Sequence, residues 1–188
     1  MLRLGALVAL LFLAGAAVAS AAAPVESFVT GVDARLDELR ATEPGARADG
    51  CGQLLDDAFD ETAIVPAVAA GHWGSLGQFR DDFAAAVGAR LLRACLDVLV
   101  RDDEGDGTVR RVRERDGYQR VTVQYGTAEN PGTVLVWTLQ PGGPLGWQAV
   151  DLTVEGRGLV AELRADFEAA LGARGSVPAA IADLAGKK

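Results

Sequence analysis

A change of period within residues 147–167 constrains the fold of this chain more than any other feature. Val150, Leu152 and Val154 alternate with polar residues, which is the period-two pattern of a half-buried strand. After two glycines, from Leu159 onward, the apolar residues recur every three or four positions, as they do on one face of a helix. A strand that turns directly into an amphipathic helix places two apolar surfaces at one junction, so apolar groups from elsewhere must fill the space between them.

The first 21 residues have the three parts of a secretory signal peptide. Arg3 supplies the positive charge, residues 4–18 form an uncharged apolar stretch, and residues 17–19 and 19–21 each form a small-x-small cleavage site. The alternative is a transmembrane anchor, which needs about 20 apolar residues, more than this stretch offers. We therefore predict a signal peptide over 1–21 and one exported domain over 22–188.

The charge balance excludes some classes of partner. The chain has 18 basic and 26 acidic residues and a formal net charge of -8. An acidic chain of this kind argues against a nucleic-acid partner and against electrostatic adhesion to an anionic membrane.

Two cysteines, Cys51 and Cys95, leave two structural interpretations open. In an oxidising compartment they would form a disulfide that stabilises the fold by roughly 3–4 kcal/mol in the chain-entropy model. Alternatively, each cysteine is a small buried apolar residue.

The order of the periodic patterns predicts the fold class. Helical patterns occupy residues 28–99 and strand patterns residues 109–155. Asp116-Gly117 lies between two alternating segments and predicts a two-residue hairpin turn. Segment 133–139 is apolar on both faces and therefore predicts a central strand. Helices, a four-stranded antiparallel meander and further helices together predict an α+β domain.

The polar residues do not form a recognisable catalytic or metal-binding pattern. His72 is the single histidine, so it would have to serve alone in any histidine-based site. Residues 102–107 begin like a calcium loop, but the twelfth position is Arg113, where a bidentate glutamate is required. We predict a structural role for Asp151, with its charge satisfied by Arg164 or by backbone donors. A hydrolase that uses the Asp151 carboxylate is the enzyme alternative; otherwise we expect no catalytic residue, metal or cofactor.

Three segments carry a resemblance to a known family. The first is Phe59-Asp60 followed by Trp73, and the second is Phe79-x-x-x-Phe83, which opens a helix that runs to Leu99. The third is W-x-x-x-D-x-x-x-E-G from Trp147, followed by L-V-x-x-x-R-x-x-F from Leu159. In this order they resemble the MlaC (toluene-tolerance) family of periplasmic phospholipid-binding proteins. The resemblance spans nearly all of the chain after the signal peptide.

The resemblance implies both an architecture and a function. The expected fold is a four-stranded antiparallel sheet covered by helices around an apolar lipid cavity, in a periplasmic protein that we expect to be monomeric and without enzymatic activity. The implied ligand is a phospholipid. The implied partners are an inner-membrane ABC transporter complex with an MCE ring and an outer-membrane lipoprotein–porin complex, and shuttling lipid between them maintains the lipid asymmetry of the outer membrane.

The residues expected to contact the acyl chains are apolar side chains of the helices and the sheet. They are Phe59, Val68, Phe79, Phe83, Leu91, Val121, Val123, Val136, Leu152, Leu163 and Phe167. The alternative function is an exported α+β binding module, similar to a cystatin or a nuclear transport factor, that holds a small ligand or a peptide.

Overall fold

The computed structural model of this protein describes residues 24–100, 107–126 and 131–186. The predicted signal peptide and most of the acidic segment 102–107 lie outside these residues. Within the described ranges, no helix combines the length and the apolar character needed to cross a membrane.

The described residues contain six α-helices. They are α1 (Val25–Ala41), α2 (Arg47–Ala58), α3 (Glu61–Ala69), α4 (Arg80–Leu99), α5 (Leu159–Arg174) and α6 (Val177–Gly186), with short 3-10 turns at Pro44–Ala46, Ala70–His72 and Gly77–Phe79. The Asp60 side chain caps the start of α3, because it accepts a hydrogen bond of 3.1 Å from the Ala63 amide.

The strands form an antiparallel sheet in the order β1-β2-β3-β4-β5. Its strands are β1 (Thr108–Arg115), β2 (Tyr118–Gly126), β3 (Pro131–Pro141), β4 (Trp147–Val154) and β5 (Arg157–Gly158). The predicted α+β class is confirmed, whereas the predicted number of four strands is too small. Glu155 and Gly156 have φ angles of 49° and 84°, so the chain folds back tightly and pairs two more residues before α5 begins.

The hairpin predicted at Asp116-Gly117 is confirmed. These two residues have φ angles of 55° and 81°, which are both positive, as in a type I′ turn. Arg115 therefore pairs directly with Tyr118, and β1 and β2 run antiparallel from that pair.

A β-bulge in β4 changes which side chains face the helices. The pairing with β3 shifts between Thr138 and Leu139, so that Val150 is an extra residue between the paired Ala149 and Asp151. Leu152 therefore shares the inner face with Ala149 and not with Val150. The strict alternation read from the sequence fails at this point because one residue is added to the strand.

Strand β1 is an edge strand of the sheet and, among the described residues, pairs with β2 alone. Almost all of its side chains are exposed. The hairpin formed by β1 and β2 concentrates positive charge in an otherwise acidic chain through its arginines, which are Arg110, Arg111, Arg113, Arg115 and Arg120.

The side chain of Asp151 joins β4 to α5. Its Oδ1 accepts hydrogen bonds from the Leu152 amide at 2.9 Å and from the Val160 amide at 3.1 Å. Val160 is the second residue of α5, so the carboxylate caps a free amide at the helix start and also favours the positive end of the helix dipole. Backbone donors thus satisfy this charge, while Arg164 donates to the Ala67 carbonyl at the end of α3 at 3.2 and 2.6 Å.

Replacing Asp151 by alanine is expected to lower the free energy of unfolding by about 1–2 kcal/mol, since it leaves the amide of Val160 uncapped. Urea denaturation measures this change. Asp151→Asn keeps an acceptor oxygen and is expected to cost less than the alanine variant. Asp56→Ala, at an exposed position of α2, is the control and should lie within about 0.5 kcal/mol of the parent. Equal stabilities for Asp151→Ala and the control would contradict the capping role.

Candidate functional site

A cavity of about 430 Å³ lies between the sheet and the helices. Helices α1, α2 and α4 form one wall, strands β2, β3 and β4 form the other, and the start of α5 closes one side. This volume falls within the roughly 300–1,000 Å³ that is usual for small-molecule sites.

The deep end of the cavity is apolar and buried. Its side chains come from α2, α4 and β3 and from the residue that follows α2; they are Leu54, Leu55, Ala58, Phe59, Leu91 and Trp137. The Asp60 amide donates to the Ala149 carbonyl at 2.9 Å, which ties the junction of α2 and α3 to β4 beside this end. Because no charged or polar residue is buried anywhere in the described ranges, the deep end offers no group for ionic recognition.

The outer end of the cavity is charged and largely exposed. Two ion pairs lie there, Asp37 with Arg40 at 2.5 Å and Arg157 with Glu162 at 3.4 Å. Asp97, in the last turn of α4, is also exposed and contributes a further carboxylate. The gradient from apolar depth to charged mouth is the arrangement that an amphipathic guest requires.

A half-buried hydrogen bond holds α1 against the sheet at the mouth. The Tyr125 hydroxyl donates to Asp33 Oδ1 at 2.8 Å, and the Gly107 amide donates to Asp33 Oδ2 at 3.1 Å. A Cβ at Gly107 would lie 2.7 Å from a Val123 carbon, so only glycine fits this approach of the chain.

The structure joins Cys51 and Cys95 by a disulfide with an S–S distance of 2.03 Å. The bond links α2 to α4, and Cys95 itself lines the cavity. Two of the helices that enclose the cavity are therefore covalently fixed to each other.

The side chains predicted to contact acyl chains divide into two groups. Phe59, Leu91 and Leu152 line the cavity. The others lie outside its wall, and they are Val68, Phe79, Phe83, Val121, Val123, Val136, Leu163 and Phe167. Phe83 and Phe167 pack edge to face with ring centroids 4.8 Å apart, and Val136 pairs with Thr122 on the β2 side and with Thr153 on the β4 side. Direct ligand contact by any of the eleven stays a prediction.

Several cavity residues were absent from the sequence prediction. They come mainly from α1, α2 and the centre of β3, and include Val32, Leu36, Leu54, Leu55, Ala58 and Trp137. The helical period identified the apolar faces of α1 and α2. The helical period does not indicate which apolar faces pack directly against the sheet and which are separated from it by the cavity.

Two polar candidates weighed from the sequence, His72 and Asp151, have structural contacts. His72 lies against the Phe167 ring at 5.9 Å, and Asp151 is engaged in capping α5. Within the described ranges, no three histidine, cysteine or acidic side chains are grouped so that they could hold a metal ion.

Comparison with known proteins finds a similar architecture in a solved structure. The structure is similar to that of a phospholipid-binding protein from Ralstonia solanacearum, solved in complex with a phospholipid, with a TM-score of 0.67 and 19% sequence identity over 85% of this chain and 93% of that one. Comparison with curated protein sequences found no match. The family model described as MlaC protein matches residues 27–186. Since that match covers most of the chain, the protein belongs to the MlaC family.

Proposed function

We propose that this protein is a periplasmic carrier of phospholipid. The acyl chains of the bound phospholipid occupy the cavity between the sheet and the helices. Membership of the MlaC family and the solved neighbour in complex with a phospholipid both support this function. The observation that carries it is the cavity itself, which is apolar at its deep end and charged only at its mouth.

Hydrophobic transfer supplies the binding energy. Each methylene group removed from water contributes about 0.8 kcal/mol. An acyl chain of ordinary length can therefore hold a lipid without a single ionic contact. The charged mouth keeps the headgroup near solvent, where it does not have to be desolvated.

The same gradient argues against a small polar ligand or a peptide. Such a guest would leave its own polar groups unsatisfied among Leu54, Leu55 and Leu91, at a cost of about 1–3 kcal/mol for each buried group. An enzymatic role would need reactive side chains at the deep end, which is apolar. A carrier is the function that this lining suits best.

The place of this carrier in the cell is also part of the proposal. The signal peptide predicted over 1–21 would deliver the chain to the periplasm. There the protein would shuttle phospholipid between an inner-membrane ABC transporter complex and an outer-membrane lipoprotein–porin complex, and so maintain the asymmetry of the outer membrane.

The exported protein is expected to co-purify with one bound phospholipid when no detergent is used. Native mass spectrometry would show a second population heavier by the mass of one phospholipid, and organic extraction would release a glycerophospholipid. The control is protein delipidated in denaturant and refolded, which should regain the heavier population after incubation with phospholipid vesicles. Protein that neither carries lipid as purified nor takes it up from vesicles would overturn the proposed function.

A further inference from the structure

The β1–β2 hairpin places a group of arginines on one face of the sheet. Val121 of β2 is fully buried in the core and pairs with Val112 of β1, so both lie on the inner face of the sheet. Side chains alternate between the two faces along a strand, and residues directly opposite each other share a face. The outer face therefore presents four arginines, which we call the arginine face. They are Arg111, Arg113 and Arg115 of β1 and Arg120 of β2.

The arginine face is separated from the acidic charge of the chain. Residues 108–126 contain five arginines against Glu114 and Asp116, a net charge of +3, whereas the whole chain has -8, so the remainder has -11. At physiological ionic strength, exposed charges further apart than about 8 Å are largely screened from each other. The total charge, which argues against adhesion to an anionic membrane, therefore does not describe what a partner meets at this face.

Within the described ranges, the arginine face is exposed and largely without neutralising partners. Its three β1 arginines are exposed, and its one ion pair there is an exposed contact of 3.2 Å between Arg115 and Asp116. Arg113 lies directly opposite Arg120 in the register of the two strands. Like charges in that arrangement destabilise a sheet. An anionic partner would compensate this repulsion.

Two features of the hairpin favour a membrane over a protein as the anionic partner. None of the four arginines lines the cavity, so the arginine face offers no pocket of the kind that seats the anchor residue of a protein partner. Tyr118, directly opposite Arg115, is 37% exposed. Tyrosine is enriched where a membrane meets water, because its ring is apolar and its hydroxyl is polar.

The position of β1 relative to the cavity also favours a membrane. The Gly107 amide donates to Asp33 at the mouth, and β1 begins with the next residue. At about 3.3 Å per residue, Arg111 lies roughly 13 Å along the strand from that point. The arginine face therefore begins beside the opening through which a lipid would pass.

We propose that the arginine face docks this protein on a bilayer that contains anionic phospholipids, with the guanidinium groups on lipid phosphates and Tyr118 at the interface. A guanidinium group suits this partner because its planar fork binds phosphate through two parallel hydrogen bonds. Docking goes beyond the proposed carrier function and does not depend on it. It uses the outer face of the sheet, whereas the cavity lies on the inner face.

Sedimentation with sucrose-loaded vesicles tests the docking. The exported protein is mixed with vesicles of phosphatidylcholine alone, or of equal parts phosphatidylcholine and phosphatidylglycerol. At about 0.1 M salt it should sediment with the anionic vesicles only, and at about 1 M salt, where the Debye length falls to about 3 Å, binding should disappear. Failure to sediment with the anionic vesicles would overturn the docking, as would equal binding to both kinds of vesicle.

The double variant Arg113→Gln/Arg120→Gln locates the contact. Each arginine near an anionic surface changes partitioning about 5-fold, so the two substitutions together should weaken vesicle binding roughly 25-fold. The variant also removes an opposed pair of like charges, so its Tm should not fall. Native mass spectrometry should find the same lipid content as in the unaltered protein, because the cavity is unchanged.

Arg80→Gln/Arg174→Gln is the matched control, because it removes two exposed arginines elsewhere and changes the net charge equally. It should bind anionic vesicles as the unaltered protein does. Equal weakening in both double variants would show that total charge governs binding, and would overturn the role of the arginine face.

Two further outcomes separate this proposal from its alternatives. If the unaltered protein ignores the anionic vesicles but binds polyglutamate through Arg113 and Arg120, the partner is an acidic protein and the membrane assignment is wrong. Normal vesicle binding by a protein that never carries lipid in its cavity would support the docking and contradict the carrier function alone.

Discussion

The Ala94→Trp variant is expected to lose most of its bound lipid while remaining folded. Ala94 is exposed and lines the cavity on α4, between the deeper Leu91 and the outer Val98. Helical side chains lean toward the N-terminus of their helix, so a new indole there points toward Leu91 and into the cavity. Excluding about three or four methylene groups of a guest costs about 2.4–3.2 kcal/mol, which is roughly 50- to 200-fold in affinity.

Native mass spectrometry of the purified variant measures the fraction of protein that carries lipid. The control is Ala169→Trp, which adds the same side chain at an exposed position of α5 outside the cavity and should leave that fraction unchanged. Thermal unfolding of both variants checks that each is folded. If Ala94→Trp retained lipid as the control does, the cavity between the sheet and the helices would not be the binding site.

Removing the disulfide with the double variant Cys51→Ala/Cys95→Ala is expected to cost about 4 kcal/mol of folding free energy. The bond spans a sequence separation of 44, and the chain-entropy model assigns this magnitude to a loop of that length. For a domain of this size, the loss corresponds to a fall in Tm of about 8–16 °C. Calorimetry on delipidated protein measures it, because bound lipid would itself raise the Tm.

A thiol reductant provides the control for this variant. It should lower the Tm of the unaltered protein by a similar amount and leave that of the double variant unchanged. Thiol titration of the exported, denatured protein without reductant should find no free thiol. Two free thiols per chain, or a Tm shift of the double variant within about 2 °C, would contradict a stabilising bond between α2 and α4.

The sequence predicted the α+β class and the positions of most elements because local chemistry determines them. Asp116-Gly117 predicted a hairpin since both residues accept positive φ angles there. Pro66 shows the opposite case. A proline is expected only in the first turn of a helix, yet Pro66 is the sixth residue of α3. Thr62, whose carbonyl loses its partner, is exposed, so water can bond to that carbonyl and the expected break does not occur.

The cavity was harder to predict because it depends on how elements are spaced and not on what each one is. An apolar stripe has the same sequence pattern whether it packs against another surface or lines a cavity. Phe83 and Leu91 lie on one helix and were both predicted to contact lipid, but Phe83 packs against Phe167 whereas Leu91 faces the cavity. The bulge at Val150 also escaped the sequence pattern, because its cause is the register with β3.

The arginines of the β1–β2 hairpin have a consequence for how copies of this protein meet one another. In the part of the chain that the structure describes, strand β1 has an unpaired outer edge, and an edge of this kind is a site where another chain can add a strand. Two molecules that approach through their β1 edges bring the positive charges of these arginines together, and the two molecules repel each other. The arginines of this hairpin therefore oppose edge-to-edge assembly of copies of this protein into fibrous aggregates.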